Sequence, residues 1–328
     1  MSYLIRRLLL LLLTGWAALT INFVLPRLMP GNPAQVMLAR FQGRLSPQAL
    51  AALTVQFGIH THQSLVSQYL AYWGHMLAGN FGLSLTYYPA SVGQMIGQAY
   101  PWTLGLVGVS TVIAFIAGTG VGIAAAWRRG SALDGALVPV RLFLNSMPYF
   151  WFALLLLYAF AFVLGWFPVG GGIDTRASLV GWALLGSIVY HAILPAATIT
   201  ITAFGGWVLT MRNNMVAVLT EDFVRFARAK GLPDTAVEYG YAARNAVLPN
   251  FTGFAMAIGF VVGGALLTEI VFSYPGLGYL LYQAVLNLDY PLMQAIFLLI
   301  ALSVLAANFL ADLAYVLLDP RVRVVSAR

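Results

Sequence analysis

Long apolar runs separated by short polar segments dominate the pattern of this sequence. Six of the runs are long enough to cross a bilayer as a helix, which requires about 20 mainly apolar residues. Because the runs are continuous and do not alternate between apolar and polar positions, they favour helices over the strands of a membrane barrel. The pattern therefore predicts an all-α membrane protein with six transmembrane helices, at about residues 8–29, 101–126, 147–166, 187–210, 250–272 and 292–317.

The segments between these runs divide the chain into four parts. Residues 1–30 contain the first span and the N-terminus, and residues 31–100 form a long segment with little charge. Part of this segment, YLAYWGHMLAGNFG, is amphipathic at helical spacing, so we expect a small folded cap. Residues 101–320 form a core of five spans that includes a long polar loop at 211–249, and residues 321–328 form a C-terminal tail.

Basic residues are distributed unequally across the predicted membrane. In the six-span arrangement thirteen of the 17 Lys and Arg residues fall on one side, and the other side has Arg27, Arg40, Arg44 and Arg176. Loops rich in Lys and Arg remain on the cytoplasmic side of a membrane. Both termini and the 211–249 loop are therefore predicted to be cytoplasmic, and the 31–100 cap extracytoplasmic.

The composition excludes an ordinary soluble protein. Hydrophobic residues make up 61% of the chain, the mean hydropathy is +0.85, and charged residues reach only 8%, against about 25% in soluble domains. The net charge of +7 does not indicate nucleic-acid binding, because the basic residues are scattered in ones and twos beside apolar runs. The chain has no cysteine, which excludes disulfides, thiolate metal sites and a cysteine nucleophile.

Pairs of glycines spaced four residues apart occur in two of the predicted spans. Gly118 and Gly122 lie in the second span, and Gly259 and Gly263 lie in the fifth. Small residues at this spacing allow two membrane helices to approach closely. We therefore expect both pairs to pack against neighbouring helices.

One window contradicts the general avoidance of charge. Residues 221–250, EDFVRFARAKGLPDTAVEYGYAARNAVLPN, contain eight charged residues. Thr220 can cap a helix that starts with acidic residues, where the positive end of the helix dipole favours them. Phe223, Phe226 and Ala227 then share one face of that helix, with the basic residues mostly elsewhere.

A sharp turn separates this helix from a second one. Gly231 supplies a C-terminal stop, and Pro233 suits the first turn of a new helix that runs to about Val247. The window is therefore predicted to be helix, turn, helix at the cytoplasmic surface. It is either a solvated loop whose charges hold the topology or, as the exposed aromatic face favours, a docking element for a partner.

Several motifs, in one order along almost the whole chain, resemble the peptide and nickel branch of the ABC importer permeases. ARAKGL followed by RNAVLP resembles the conserved cytoplasmic loop of that family. The similarity continues in VVGGALLTEIVFSYPGLG, LNLDYPLMQA and ADLAYVLLDPRVR, and near the N-terminus in LPRLMPGNPA and GNFGLSL. The resemblance implies the type I ABC importer permease fold in the plasma (inner) membrane of a prokaryote, with six transmembrane helices and cytoplasmic N- and C-termini.

The resemblance also implies a role for the charged window. The loop of such permeases forms a coupling helix that sits in a cleft of a cytoplasmic ATPase subunit, which would bury Phe226 and Ala227 while Gly231 allows the turn. Arg225 stands where the family motif often has glutamate, and Pro233 replaces a commoner serine. The contact residues that the resemblance implies are Asp222, Arg225, Phe226, Ala227, Arg228, Ala229, Lys230 and Gly231.

The implied partners are a second, homologous permease subunit, two cytoplasmic ATPase subunits and an extracytoplasmic substrate-binding protein, together with the lipid bilayer. No cofactor is expected on this chain, and ATP and Mg would be used by the ATPase subunits. The only lysine, Lys230, is followed by Gly231 and Leu232, so the Gly-Lys-Ser/Thr of a phosphate-binding loop is absent. HExxH and GxSxG are absent as well, so the chain is predicted not to be an enzyme itself.

Polar residues at the ends of spans are candidates for the translocation path or its gate, because polar groups in lipid usually face the protein interior. His191 begins the fourth predicted span and Glu269 ends the fifth, so we expect the two to approach each other near the outer surface, beside the SYPGLG turn. The alternative is that these groups reach water or cap helix ends. The candidate set is His191, Glu269, Tyr274, Pro275, Asn145 and Asn213.

These observations predict the permease subunit of an ATP-driven importer of small peptides. An oligosaccharide importer of the same branch is the first alternative, and a nickel importer ranks below it because His and carboxylate clusters are sparse. An ion-coupled secondary transporter would show inverted repeats and acidic residues at the membrane midplane. The sequence shows neither, since Glu269 and Asp312 lie near opposite ends of their spans.

Overall fold

The computed structural model describes residues 3–29, 64–176, 178–261 and 265–318, and most of these residues are helical. A single antiparallel bridge joins Leu83 and Ser91 within this part of the chain. π-Helical stretches span Leu157–Val163 and Ala236–Ala243. The helices are α1 (Tyr3–Leu28), α2 (Leu65–Leu77), α3 (Val92–Trp127), α4 (Ala132–Ser146), α5 (Tyr149–Leu156), α6 (Gly181–Val218), α7 (Asp222–Ala229), α8 (Arg244–Phe260), α9 (Leu266–Val271), α10 (Leu277–Leu286) and α11 (Tyr290–Leu318).

Four single helices among the described residues are long and apolar enough to cross a membrane, namely α1, α3, α6 and α11. They coincide with the first, second, fourth and sixth predicted spans. The third predicted span corresponds to α5 and its π-helical extension, which form a pair with α4 that is bent by 96°. At 36 and 38 residues, α3 and α6 exceed the about 20 residues of one span. The sequence pattern missed these extensions because it located only the apolar centres.

The fifth predicted span, 250–272, is not one continuous helix. α8 ends at Phe260, and α9 is a separate helix of six residues that begins at Leu266. Ala265, the described residue directly before α9, is not helical. The count of six spans and the cytoplasmic termini therefore remain predictions.

The described residues form two compact units. One unit contains the residues up to Thr103, Ala265–Leu266 and the residues from Pro275 onwards, and the other contains Leu104–Val261 and Leu267–Tyr274. The predicted divisions of the chain at residues 30, 100 and 320 stay predictions. Residues 31–63 of the predicted cap and the 321–328 tail lie outside the described residues.

The first unit is built on α1, α10, α11 and the start of α3. Its buried cluster contains residues of the last three of these helices: Val92, Ala99, Leu277, Leu280, Leu281, Ala284, Leu292, Met293, Ala295 and Ile296. α1 lies along α11, where Asn22 Nδ2 donates to the carbonyl oxygen of Gln294 at 2.8 Å. α2 packs on the end of α1 through Phe23 and Tyr72, whose ring centroids are 5.5 Å apart. The described part of the predicted cap is thus folded against a membrane helix.

A buried carboxylate joins two distant segments of this unit. Asp289 is fully buried and accepts hydrogen bonds from the Ser84 hydroxyl, from the Thr86 backbone N–H at 2.8 Å and from the Leu292 N–H at 3.2 Å. The last of these bonds caps the start of α11. Asp289 therefore fixes the 80–91 loop on the first turn of the final long helix, and it links the GNFGLSL and LNLDYPLMQA motifs.

Asp289→Asn is expected to loosen the 80–91 loop. The amide replaces one charged acceptor by a donor that opposes the Ser84 hydroxyl and the Thr86 N–H, at a cost of about 1.5 kcal/mol. Hydrogen–deuterium exchange should then accelerate at Thr86 and Tyr87. Asp222→Asn, at an exposed carboxylate, is the matched control. Equal exchange of the loop in the Asp289→Asn variant and the control would contradict this role.

The second unit has its closest helix contact between α3 and α6. A Cβ placed on Gly118 would lie 2.6 Å from Trp207 Cβ, and one on Gly122 would lie 2.6 Å from the carbonyl oxygen of Val208. The predicted packing of this glycine pair is therefore confirmed. Asn250 of α8 is buried and donates to the Thr119 hydroxyl at 2.8 Å, which adds α8 to the same contact. The second pair includes Gly263, which lies outside the described residues.

Candidate functional site

The short helix α7 is fixed to the protein by one small apolar face. Val224 and Ala227 of this face are buried and pack in a cluster with Met211 and Met215 of α6. The same cluster includes Val237, Ala242, Ala243 and Ala246, which belong to the π-helical stretch and to α8. A displacement of α7 would therefore act directly on two of the long helices of its unit.

The adjacent face of α7 exposes aromatic side chains. Phe223 is 41% exposed and Phe226 is 62% exposed. The Lys230 ammonium lies 4.6 Å from the centroid of the Phe226 ring, a cation–π contact. Exposed aromatic rings next to basic groups are typical of the centre of a protein interface.

The structure divides the predicted contact residues between these two faces. Ala227 packs inward with Val224, so it contacts its own chain rather than the exposed surface where a partner could bind. Phe226 is exposed, as expected for a residue that a partner would bury. The sequence put Ala227 on the aromatic face because it lies four residues after Phe223. The structure shows instead that this small residue sits at the edge of that face, where it allows α7 to approach α6.

The charged residues of α7 have different surroundings. Asp222 and Arg225 are exposed and lie 3.7 Å apart as an ion pair one turn apart. The Arg228 guanidinium lies 5.2 Å from the Trp127 ring centroid, which ties the end of α7 to the end of α3. Ala229 is exposed at the last turn. The exposed surface of α7 is therefore an aromatic centre bordered by Asp222, Arg225 and Lys230.

The two ends of α7 differ in how well the sequence predicted them. Gly231 has φ +74°, in the region that favours glycine, and its N–H donates to the Arg228 carbonyl, so the predicted stop is confirmed. Pro233 begins the next helical stretch, because its carbonyl accepts from the Val237 N–H at 3.1 Å. The predicted cap by Thr220 is wrong. Its hydroxyl donates back to the Ala217 carbonyl at 2.7 Å, and Glu221 occupies the cap position without a side-chain bond.

Ion pairing fixes the segment that leads into α7. Arg212, in the last two turns of α6, donates through Nε and Nη2 to the two carboxylate oxygens of Asp134, the latter at 3.1 Å. Asp134 also accepts from the Gly130 N–H at 3.0 Å, and its own N–H donates to the Ser131 hydroxyl at 3.4 Å. Arg141 Nη1 reaches the carbonyl oxygen of Gly205 at 3.1 Å. α4 is therefore held along the end of α6 at two points.

One carboxyl group in the chain segment after α7 is partly buried. Glu238 is in the π-helical stretch, and burial raises its pKa, against the opposing effect of the nearby Arg128 charge. This group sits in the segment that joins α7 to α8. It adds polarity to the loop without entering the apolar cluster.

The candidate path residues are not gathered into one site. His191 Nδ1 lies 2.8 Å from the Ser187 carbonyl of its own helix, and because a carbonyl only accepts, Nδ1 carries the proton. The hydrogen bond of the imidazole is therefore made within α6 and not with Glu269. Glu269 is fully buried in α9. The approach of His191 to Glu269 stays a prediction, because no hydrogen bond joins the two side chains within the described residues.

The turn after Glu269 is firmly held. The Tyr274 N–H donates to the Glu269 carbonyl at 2.8 Å, and Tyr274 is buried. Burial, with the nearby Glu269 charge, raises the pKa of Tyr274 to about 12. Pro275 belongs to the other compact unit, where it lines a cleft with Tyr87, Trp102 and Tyr279.

The two candidate asparagines give little support to a shared site. Asn213 is exposed near the end of α6 and its Oδ1 accepts from Arg212 Nη1 at 3.3 Å. The side chain of Asn145 lies outside the described residues, although its backbone is in α4. No group of three or more His, Asp or Glu side chains arranged to hold a metal ion lies within the described part of the chain.

Sequence reasoning missed the residues that position α7. Asp134 and Arg212 are 78 residues apart, and nothing in their local pattern links them. The one available signal was an acidic residue three positions after Ser131, a spacing that is typical of a helix N-terminus. Trp127 follows the second predicted span directly, and nothing in the sequence indicates its contact with Arg228.

Comparisons with known proteins agree with the motifs. A family model described as "Binding-protein-dependent transport system inner membrane component" matches residues 118–324. The chain is 36% identical to the di/tripeptide transport system permease protein DppB of Pseudomonas aeruginosa, over 98% of this chain and 99% of that protein. It is 31% identical to the oligopeptide transport system permease protein AppB of Bacillus subtilis and 32% identical to the dipeptide transport system permease protein DppB of Escherichia coli, in both cases over 98% of this chain and 99% of the relative.

Proposed function

Because the chain belongs to the family of binding-protein-dependent transport system inner membrane components, we propose that it is a permease subunit of an ATP-driven importer of small peptides. The observation that carries the choice of cargo is end-to-end similarity to permeases named for dipeptide, di/tripeptide and oligopeptide transport. Oligosaccharide and nickel become the alternatives that the uptake experiment distinguishes.

In this proposal α7 is the element on which a separate ATPase subunit acts. Its exposed Phe223 and Phe226 would enter a cleft of that subunit, and the border of Asp222, Arg225 and Lys230 would select the orientation. Gly231 permits the chain to turn immediately after the docking helix. The ATPase carries the catalytic groups, and this chain contributes the mechanical connection.

The packing of α7 supports a direct path from the ATPase to the membrane helices. Val224 and Ala227 contact Met211 and Met215 of α6, and the same cluster continues to Ala246 of α8. A close-packed apolar cluster transmits displacement because it has little free volume to absorb it. Movement of α7 would thus shift α6 and α8 together, with the Asp134–Arg212 pair keeping α4 attached to α6.

The arrangement of the complete transporter follows from this role. We infer a second related permease, two ATPase subunits and an extracytoplasmic binding protein that delivers peptide to the predicted outer surface. ATP binding would bring the coupling helices together and open the path outward, and hydrolysis would reset it. Selection of the cargo would rest mainly with the binding protein.

Uptake into proteoliposomes tests this function. The chain, reconstituted with its partner permease, ATPases and binding protein, is expected to accumulate a radiolabelled dipeptide only when ATP is present. A maltooligosaccharide and Ni²⁺ serve as the competing cargoes in parallel assays. ATP-dependent uptake of either of these without uptake of the dipeptide would overturn the peptide assignment, while absence of any ATP dependence would overturn the transporter class.

A further inference from the structure

A large cavity lies at the loop between the π-helical end of the α5 segment and the start of α6. Its volume is about 730 Å³, within the range of about 300–1,000 Å³ that is typical of small-molecule sites. Its lining includes the apolar residues Phe167, Pro168 and Ile173 and the polar residues Asp174, Arg176 and His191. By the distribution of basic residues this loop is predicted to be extracytoplasmic, which is the side where cargo arrives.

The loop that forms the cavity is held at several points and is not a loose tether. The Asp174 N–H donates to the Ser187 hydroxyl at 2.8 Å, and the Tyr190 hydroxyl donates to the Trp166 carbonyl. The Gly171 N–H donates to the Phe272 carbonyl at 3.0 Å. These bonds hold the loop at Trp166, Gly171 and Asp174, against α6 and against the segment that follows α9.

The charged and polar groups of Asp174, Arg176 and His191 in this lining are available to a ligand. Asp174 Oδ1 accepts from the Arg176 N–H at 2.9 Å, which leaves its second oxygen for another donor. Among the residues that the structure describes, no hydrogen bond or ion pair engages the Arg176 guanidinium. The His191 Nδ1–H is used by the Ser187 carbonyl, so Nε2 remains able to interact with a ligand.

We propose that this cavity is a binding site for the zwitterionic backbone of a short peptide, with the free α-amino group at Asp174 and the free α-carboxylate at Arg176. A guanidinium is well suited to a carboxylate because its planar donors match both oxygens. The peptide side chains would lie against Phe167, Pro168 and Ile173. The proposal rests on the peptide-importer function, and it gives this chain a part in recognising cargo on the outer side.

The combination of charges favours this ligand over the other cargoes. A neutral oligosaccharide has no charged group to pair with the carboxylate and the guanidinium, whereas a peptide with free termini has one for each. A nickel ion would be repelled by Arg176 and would find one carboxylate and one imidazole in the wall. A short peptide with free termini pairs with both charges, and its side chains can contact the apolar residues of the lining at the same time.

Site-directed labelling provides the test, because the natural chain contains no cysteine. In the assembled transporter in nanodiscs, Thr175→Cys places one thiol in the cavity wall, and a membrane-impermeant maleimide reports its accessibility on this chain. The dipeptide Ala-Phe at ten times its Kd is expected to slow labelling about 11-fold, from the factor 1 + [L]/Kd. The blocked analogue N-acetyl-Ala-Phe-amide should have no effect at the same concentration.

Two further variants complete the experiment. Arg176→Gln added to Thr175→Cys is expected to remove the protection by Ala-Phe, while Leu77→Cys, exposed in α2, should be labelled equally with and without peptide. Equal protection by the blocked analogue, protection that survives Arg176→Gln, or no protection at all would each overturn the site. ATP-driven uptake of Ala-Phe by the same transporter, reconstituted into proteoliposomes, separates the two proposals. Uptake without protection removes only this site, and absence of peptide uptake removes the importer assignment itself.

Discussion

Gly122→Leu is expected to prevent the chain from accumulating in its folded form. A Cβ at this position would lie 2.6 Å from the Val208 carbonyl oxygen and 2.8 Å from Met211 Cβ. The nearest atom belongs to the backbone of α6 and cannot rotate away, so α3 and α6 must separate. We expect a cost at or above the upper end of the about 1–3 kcal/mol for overpacking, in a contact on which α7 also depends.

The matched control is two residues away on the same helix. Gly120→Leu meets open space, since nothing lies within 4 Å of its Cβ, and an exposed leucine is compatible with lipid. Thermal unfolding in detergent, followed by size-exclusion chromatography, should show normal behaviour for Gly120→Leu and aggregated or degraded Gly122→Leu. Similar melting temperatures for the two variants would refute the close α3–α6 contact.

Phe226→Ala is expected to weaken binding of the ATPase subunit to a permease that still folds. Phe226 is 62% exposed, so its removal should leave the fold intact, but an aromatic centre of an interface contributes at least about 2 kcal/mol, or about 30-fold in Kd. Binding of the ATPase subunits to the permease in nanodiscs, measured by biolayer interferometry, should weaken accordingly. ATP-driven peptide uptake should fall with it.

The control for this prediction is an aromatic residue of similar exposure elsewhere. Phe162→Ala removes a 74% exposed ring from the π-helical end of the α5 segment, and it should bind the ATPase with unchanged affinity. A second variant, Lys230→Ala, removes the ammonium next to Phe226 and should weaken binding by less. An ATPase affinity that is the same for wild type, Phe226→Ala and Phe162→Ala would show that α7 is not the docking element.

The sequence predicted the membrane helices well where one apolar run makes one helix. α1, α3, α6 and α11 follow directly from their runs. The fifth span was predicted as one helix because its apolar run continues through Ala265, where the structure has no helix, and hydropathy does not register where a helix ends. The bend between α4 and α5 was missed for a related reason. Pro148, at the start of α5, was counted only as part of the run.

The candidate site was predicted in its local geometry and not in its tertiary contacts. The stop at Gly231 follows from the chemistry of one residue, and the structure has it. Which face of α7 turns inward could not be read from the sequence, because Val224 and Ala227 on one face and Phe223 and Phe226 on the other are all apolar. Only the packing of Met211 and Met215 decides between them.

Contacts between distant residues were beyond the reach of a single sequence. The Asp289–Ser84 hydrogen bond spans 205 residues, and the Asn250–Thr119 bond spans 131. Each of these polar groups has an ordinary local explanation as a turn or span-end residue. Their partners become apparent only when the helices are assembled. For the same reason, the motifs GNFGLSL and LNLDYPLMQA indicate a family in the sequence, but not the hydrogen bond that joins them.

Photo-crosslinking from α7 in the assembled, nucleotide-free transporter is the most direct test of the central claim that this chain is driven by a separate ATPase through that helix. A benzophenone attached at Arg225→Cys, on the exposed side of α7, is expected to form an adduct with an ATPase subunit. The same probe at Thr175→Cys, on the predicted outer side, should form none. Adducts with the ATPase from position 175, or their absence from position 225 in a complex that hydrolyses ATP and imports peptide, would contradict the account.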